Sequence, residues 1–423
     1  MEITVCDGKK ELAVFDALNA RAGEVDAKVT AQVQAILADV KARGDAALRD
    51  YSLRFDKFAG EAFEVDIAEQ AKRCAPEVAQ AMERAAENIR AFHRRQLRQS
   101  WYANGPDGVM LGQQIRGLHK VGVYVPAGTA PLPSSVLMNV LPAKIAGVKE
   151  IVMVTPPWQG GVDPSIAAAA QIAGVDRMLL LGSAWACAAL AYGTESVPKV
   201  DKIVGPGNIY VATAKRLLYG TVDIDMIAGP SEILVVADET ANPAWLAADL
   251  LSQAEHDVLA GIIFLSTSQN IAERTVIELE RQLAVLPRKD IATQALQSNA
   301  AFFVCESMAQ ALALANTYAP EHLELCVANP LELLGEIDNA GSVFLGHYTP
   351  ESVGDYYAGP NHVLPTGGTP RFFSPLSVDD FVKKTQFIHY TRPALERDLA
   401  DIVTMAEAEL LQAHANAAKV RFE

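Results

Sequence analysis

Residues 121–157 read VGVYVPAGTAPLPSSVLMNVLPAKIAGVKEIVMVTPP. A short β-branched run stops at Pro126, where a missing amide donor ends strand pairing. A loop rich in Gly, Pro and Ser follows, then a helical stretch, VLMNVLPAKIAG, and a second strand, EIVMVTPP. The rhythm continues downstream: helix PSIAAAAQIAG, strand RMLLLG, helix AWACAALAYG, strand DKIVG and helix IYVATAKRLLYG. It resumes with SEILVVAD, a helix through AWLAADLLSQAEH, strand AGIIFLST, strand FFVCE, a helix near MAQALALANTYA and strand GSVFLG. Apolar strands alternating with helices at this spacing predict parallel sheets covered on both faces.

The expected fold is therefore α/β, with two incomplete Rossmann-like parallel-sheet domains. Upstream, residues 27–58 have apolar positions three and four apart and predict an amphipathic helix that Gly44 interrupts, and a second helix is expected from Pro76 to about Arg98. At 423 residues the chain exceeds one ordinary core. The expected organisation is an N-terminal tail over 1–19, a discontinuous first Rossmann-like domain over 20–123 and 232–375, a second over 124–231, and a helical C-terminal tail over 376–423. The phosphate-binding fingerprint G-x-G-x-x-G is incomplete, since GPGNIY after DKIV supplies only its first two glycines.

A formal net charge of −15 disfavours nucleic acid as a partner, because phosphate binding needs a basic face. The one dense basic stretch, Arg90 to Arg98, reads as a solvated helix face. Five scattered cysteines without a Cys-x-x-Cys pair fit a reducing cytoplasm, and no apolar run reaches membrane-spanning length. Neither a secretory leader nor a membrane partner is expected.

Three segments carry candidate chemistry. In LLSQAEHD, Gln253 and His256 stand three apart near a helix end, so a carboxamide oxygen and an imidazole can face one divalent ion; the plainer reading is a polar helix terminus. In YAPEHLELC, Glu321 and His322 are adjacent after Pro320, which suits a pair of proton-transfer groups but also an ordinary loop pair. In PESVGDYYAGPNHVLPT, Asp355 and His362 sit in an expected loop; Asp355 offers a carboxylate and His414, in the tail, a further imidazole. There is no H-E-x-x-H run. A zinc hydrolase using Glu321 to activate water, and a non-catalytic binding protein, remain open on these residues alone.

Taken with 121–157, the segments AYGTESVPKVDKIVGPGNIYVATAKRLLYG, GPSEILVVADE, DLLSQAEHD, YAPEHLEL, NAGSVFLG, ESVGDYYAGPNHVLPT and SPLSVDDFVKKT resemble the histidinol dehydrogenase family, in family order. The resemblance spans nearly the whole chain and is weakest before 110 and after 385. It implies a zinc-dependent, NAD-linked four-electron oxidation of L-histidinol to L-histidine through histidinal, in a homodimer whose C-terminal tail completes the partner's site. It implies one zinc per subunit held by Gln253, His256, Asp355 and His414, and Glu321 and His322 as the catalytic pair. Ser231 and Glu409 match substrate-contact positions, as do the zinc-site residues and His322; His362 is a further pocket candidate. Tyr124 and Asn208 match cofactor-contact positions. Two departures stand out: Trp185 replaces the family's usual Gln, and Ala127 precedes Gly128 where two glycines are usual. They leave open another small alcohol as substrate.

Overall fold

The computed structural model describes residues 1–23, 27–60, 62–127, 130–227 and 229–423. Two parallel sheets dominate. The first has five strands in the order Arg177–Leu180, Glu150–Thr155, Lys120–Tyr124, Lys202–Val204, Asp223–Ile224. The second has six, in the order Ile3–Val5, Ala300–Val304, Gly261–Ser266, Glu232–Ala237, His322–Cys326, Ser342–Leu345. Numbered along the chain, five strands of each sheet follow the doubly wound order 3-2-1-4-5, and the N-terminal strand is added at the edge of the larger sheet.

Strand side chains alternate between two covered faces, which explains the continuous apolar runs. In the first sheet Val121, Val123, Ile151 and Met153 enter one core, while Tyr124, Val152 and Val154 enter the other. In the second sheet Ile233, Val235, Ile262 and Phe264 pack on one side and Leu234, Val236, Ile263 and Leu265 on the other. Each such fully buried side chain contributes roughly 1.5–3 kcal/mol of transfer free energy. Helix starts are fixed by side chains: Asn208 accepts from the amides of Tyr210 and Val211, and Asn242 from that of Ala244.

Several boundaries differ from expectation. The upstream helix is divided into Ala27–Arg43 and Asp45–Tyr51, followed by a π-helical turn over Ser52–Asp56, and the next helix ends at Arg94. Strand Lys120–Tyr124 runs across the expected boundary at 123/124, because Val121 and Val123 are as deeply buried as the strand's end. Ile3–Val5, expected in a tail, pairs in parallel with Phe302–Val304. Compact packing separates one unit of residues 1–96 and 118–381 from a second of 97–117 and 382–423. The second unit contains an antiparallel sheet in the order Val382–His389, Met110–Gly117, Trp101–Asn104, together with helices Arg392–Ala408 and Gln412–Lys419. The C-terminal segment, expected to be helical, thus opens with a strand.

Phe264 is fully buried in the centre of the larger sheet. Phe264→Ala should lower the unfolding free energy by about 3–5 kcal/mol through lost transfer energy and a residual cavity. Urea unfolding checks this; a loss under about 1 kcal/mol would mean the core closes over the gap.

Candidate active site

A cavity of about 520 Å³ in the first unit is lined by Tyr124 and the 205–208 turn from one sheet and by Ser231, Gln253, His256, Glu321, His322, Glu351, Asp355 and His362 from the other. Tyr124 and Gly205 lie at the carboxyl ends of adjacent strands 1 and 4 of the first sheet, where its winding reverses and ligands commonly enter. Ser231 and Glu321 lie at the amino ends of the corresponding strands of the second sheet.

Glu321 and His322 are both held by the backbone of Glu232. The Glu232 amide donates to Glu321 Oε2 at 2.8 Å, and His322 Nδ1 lies 3.0 Å from the Glu232 carbonyl oxygen. A carbonyl only accepts, so Nδ1 carries a proton in either charge state, and Nε2 presents a lone pair in the neutral form. His322 Nε2 is buried without a hydrogen-bond partner; Glu351 Oε1 and Asp355 Oδ1 both stand 3.8 Å away, too far for a hydrogen bond. Gly341 permits the approach of the neighbouring strand, since a Cβ there would lie 2.5 Å from the Glu321 carbonyl oxygen.

Burial pushes Glu321 up to about 8, with His322 opposing the shift. Burial also disfavours the His322 cation, yet the Glu351, Glu321 and Asp355 carboxylates prevail and raise its pKa well above the ordinary imidazole value. Glu351 is pushed up to about 7, chiefly by burial and then by the charge of Asp355 against the favourable effect of His322. Burial lowers His256 and His362, keeping their imidazoles neutral and able to coordinate.

His256, Glu351 and Asp355 each offer a ligand atom, and these atoms lie within 4.8 Å of one another. Gln253 is completely buried beside them, and in the amide orientation that pairs donor with acceptor its nitrogen donates to Glu351 Oε1 at 2.6 Å. An imidazole and two carboxylates, with the Gln253 carboxamide buried beside them, form a donor set that suits zinc. The site therefore fits a divalent cation. Behind it, burial pushes Asp249 up to about 6 and raises Glu324, and the two carboxyls are hydrogen-bonded. Glu324 Oε1 accepts from the Glu351 amide at 2.8 Å.

Glu351 was not singled out from the sequence, although its spacing was a signal: it stands one helical turn before Asp355. Both lie on the short helix Glu351–Tyr356, where a loop was expected for Asp355; His362 does follow in a loop, its Nδ1 3.1 Å from the Asp355 carbonyl oxygen. The helix bearing Gln253 ends at Ala254, and His256 lies in the turn beyond it, its amide donating to the Gln253 carbonyl. Tyr124 is buried and its hydroxyl accepts from the Ser183 amide, while Asn208 spends its oxygen on its helix cap and keeps its Nδ2 donors. Glu409 and His414 are exposed residues of the second unit. Trp185 is 4 % exposed and stacks against Tyr51 and Phe55 at 5.7 and 5.6 Å, so it fills core beneath the first sheet's helices. Ala127 is buried and is not among the described residues with positive φ; Gly128 lies outside the described residues.

A family model described as histidinol dehydrogenase matches residues 19–422. The chain is 53 % identical over 427 residues to histidinol dehydrogenase from Bacillus cereus, covering 100 % of this chain and 99 % of that protein. It is 54 % identical over 399 residues to the Listeria innocua protein of the same name, covering 94 % and 93 %. The crystal structure of histidinol dehydrogenase from Elizabethkingia anophelis superposes with a TM-score of 0.93 at 40 % identity, covering 100 % and 98 % of the two chains. An acetylating aldehyde dehydrogenase from Geobacillus thermoglucosidasius, at a TM-score of 0.50 and 14 % identity over 91 % and 96 %, shares the fold alone.

Glu351→Gln keeps the volume but removes a carboxylate from the cluster, and it should weaken zinc binding by about tenfold or more. Competition against a chelator of known affinity checks this; unchanged affinity would exclude Glu351 from the metal's surroundings.

Proposed function

Because the chain belongs to the histidinol dehydrogenase family, whose members are NAD-dependent oxidoreductases of the last step of histidine biosynthesis, we propose that it oxidises L-histidinol through histidinal to L-histidine in the cavity built around His322. The observation that carries this reading is the fixed tautomer of His322, with a buried, unpartnered Nε2 aimed among carboxylates. The overall change consumes one water and two NAD per alcohol, and releases two NADH and three protons with the carboxylate product.

Gln253, His256, Asp355 and the partner subunit's His414 would hold one zinc per subunit, with Glu351 beside them. When bound, zinc holds the amino alcohol and polarises its oxygen, and NAD accepts hydride. His322 Nε2 takes the alcohol proton in the first oxidation. Glu321, whose burial raises its basicity, takes a proton from water as histidinal is hydrated. Ser231, His362 and the partner's Glu409 orient the substrate, and Tyr124 and Asn208 face the cofactor.

A homodimer with shared sites is supported by the second unit's own surface. Strand Val382–His389 is exposed along nearly its whole length, and Ile388, Met405 and Leu410 are 74 %, 68 % and 81 % exposed. Each parallel sheet is read as the centre of one lobe, residues 232–375 carrying the proton-transfer groups and 124–231 the cofactor contacts. Five free cysteines support a reducing, cytoplasmic setting, and no helix among the described residues is long and apolar enough to cross a membrane.

Purified zinc-loaded protein with L-histidinol should yield two NADH per substrate by absorbance, with activity lost on chelation. Turnover of another alcohol and none of histidinol would overturn the substrate assignment. For the two proton-transfer roles, His322→Asn should slow alcohol oxidation by about 10²-fold or more, while Glu321→Gln slows conversion of added histidinal by a similar factor. Equal losses in both half-reactions for both variants would refute the division of labour.

A further inference from the structure

Lys215 and Asp225 form an ion pair whose side chains are 5 % and 1 % exposed, and both line the cavity. Lys215 lies on the helix Ile209–Leu218; Asp225 directly follows strand Asp223–Ile224. Such a pair is weak ground for stability, because desolvation of both charges offsets most of their attraction and an apolar replacement is often neutral. Its hydrogen bonds point to another role. Lys215 Nζ donates to the Gly205 carbonyl oxygen at 2.9 Å, and the Gly205 amide donates to Asp225 Oδ2 at 2.8 Å. Asp225 Oδ1 also accepts from the Met226 amide at 2.7 Å, which fixes the carboxylate itself.

Opposite charges thus grip both polar groups of a single residue. Gly205 sits at φ +112°, a conformation L side chains rarely adopt, and a Cβ there would lie 2.1 Å from the Tyr124 carbonyl oxygen. The clamp therefore sets two things together: how closely the 205–208 turn approaches Tyr124, and where Asn208 begins its helix.

We propose that the Lys215–Asp225 pair is the positioning device of the cofactor turn, setting NAD affinity through Gly205 rather than serving general stability. This rests on the reading that Tyr124 and Asn208 meet NAD. Neither charge belongs to the proton-transfer or metal groups, so the substrate half of the cavity should be indifferent to the pair.

The test uses the zinc-loaded protein and three variants: Lys215→Met with Asp225→Leu, Asp225→Asn alone, and Asn208→Ala. NAD dissociation constants come from calorimetry, beside thermal melting, zinc content and the KM for histidinol. Loss of the clamp in the double variant should raise the NAD dissociation constant by about tenfold to a hundredfold, because the binding turn is no longer preorganised. Histidinol KM and zinc content should stay close to the parent's, while melting falls modestly because the Gly205 and Met226 backbone groups lose partners. Asp225→Asn, which retains one acceptor and the volume, should give a smaller rise in the same constant and carries the test if the double variant does not fold. NAD binding at the parent's affinity in a folded clamp variant would overturn the proposal, as would parallel loss of NAD and histidinol binding. Unchanged affinity in Asn208→Ala would instead overturn the cofactor reading, and the proposal with it.

Discussion

The backbone of Glu232 is the constraint on which the site depends. Its amide and carbonyl are spent on two consecutive side chains, Glu321 and His322. This is possible because strands Glu232–Ala237 and His322–Cys326 are parallel neighbours with His322 in register with Ile233, so both side chains arrive at the amino end of the pairing. A side chain bonded to the main chain of a central strand cannot shift without disturbing the sheet. The proton on Nδ1 and the direction in which Nε2 points are therefore properties of the fold rather than of a mobile loop. The close packing of Gly341 on the Glu321 backbone acts in the same direction.

The two sheets share one winding but use it differently. In the first, the cavity opens where α/β proteins usually bind ligands, outside the carboxyl ends at the reversal of strand order. In the second, Glu321 and His322 lie at the amino end of their strand. The incomplete glycine fingerprint becomes intelligible in this setting. Gly205 is needed for its positive φ and its contact with the Tyr124 carbonyl, and Gly207 because a Cβ would strike Val211 at 2.4 Å; neither role requires the third glycine. The turn is shaped by its packing against Tyr124 and Val211.

Much of this was legible in the sequence because strand burial is nearly total. Runs such as SEILVVAD and AGIIFLST have no polar alternation to confuse with an amphipathic strand, so the parallel sheets follow from pattern alone. The strands missed are those for which pattern carries little. Ile3–Val5 is three residues on an edge, and Val382–His389 is exposed on both faces, so burial gives it no period. Glu351 escaped because a carboxylate in a Gly- and Pro-rich stretch reads as solvated, whereas tertiary packing leaves it 2 % exposed. Trp185 stood out only as a departure from the family's usual Gln, and its stacking with Tyr51 and Phe55 depends on residues more than a hundred positions earlier, which local sequence does not encode.

The cavity's two halves contrast in how they treat buried charge. Lys215 and Asp225 are matched to each other and to fixed backbone groups, so burial there is compensated and neither group is left to seek a partner. Glu321, Glu351 and Asp355 surround one imidazole, and three carboxylates cannot all be balanced by it. Burial then raises the first two, and Glu351 is further disfavoured by the charge of Asp355. A cluster selected only for stability would not keep this imbalance, because apolar residues of similar volume would fill the space with no desolvation penalty. Such an imbalance is what the proposed proton exchange and cation binding require, while the balanced pair across the cavity fits the positioning role proposed for it.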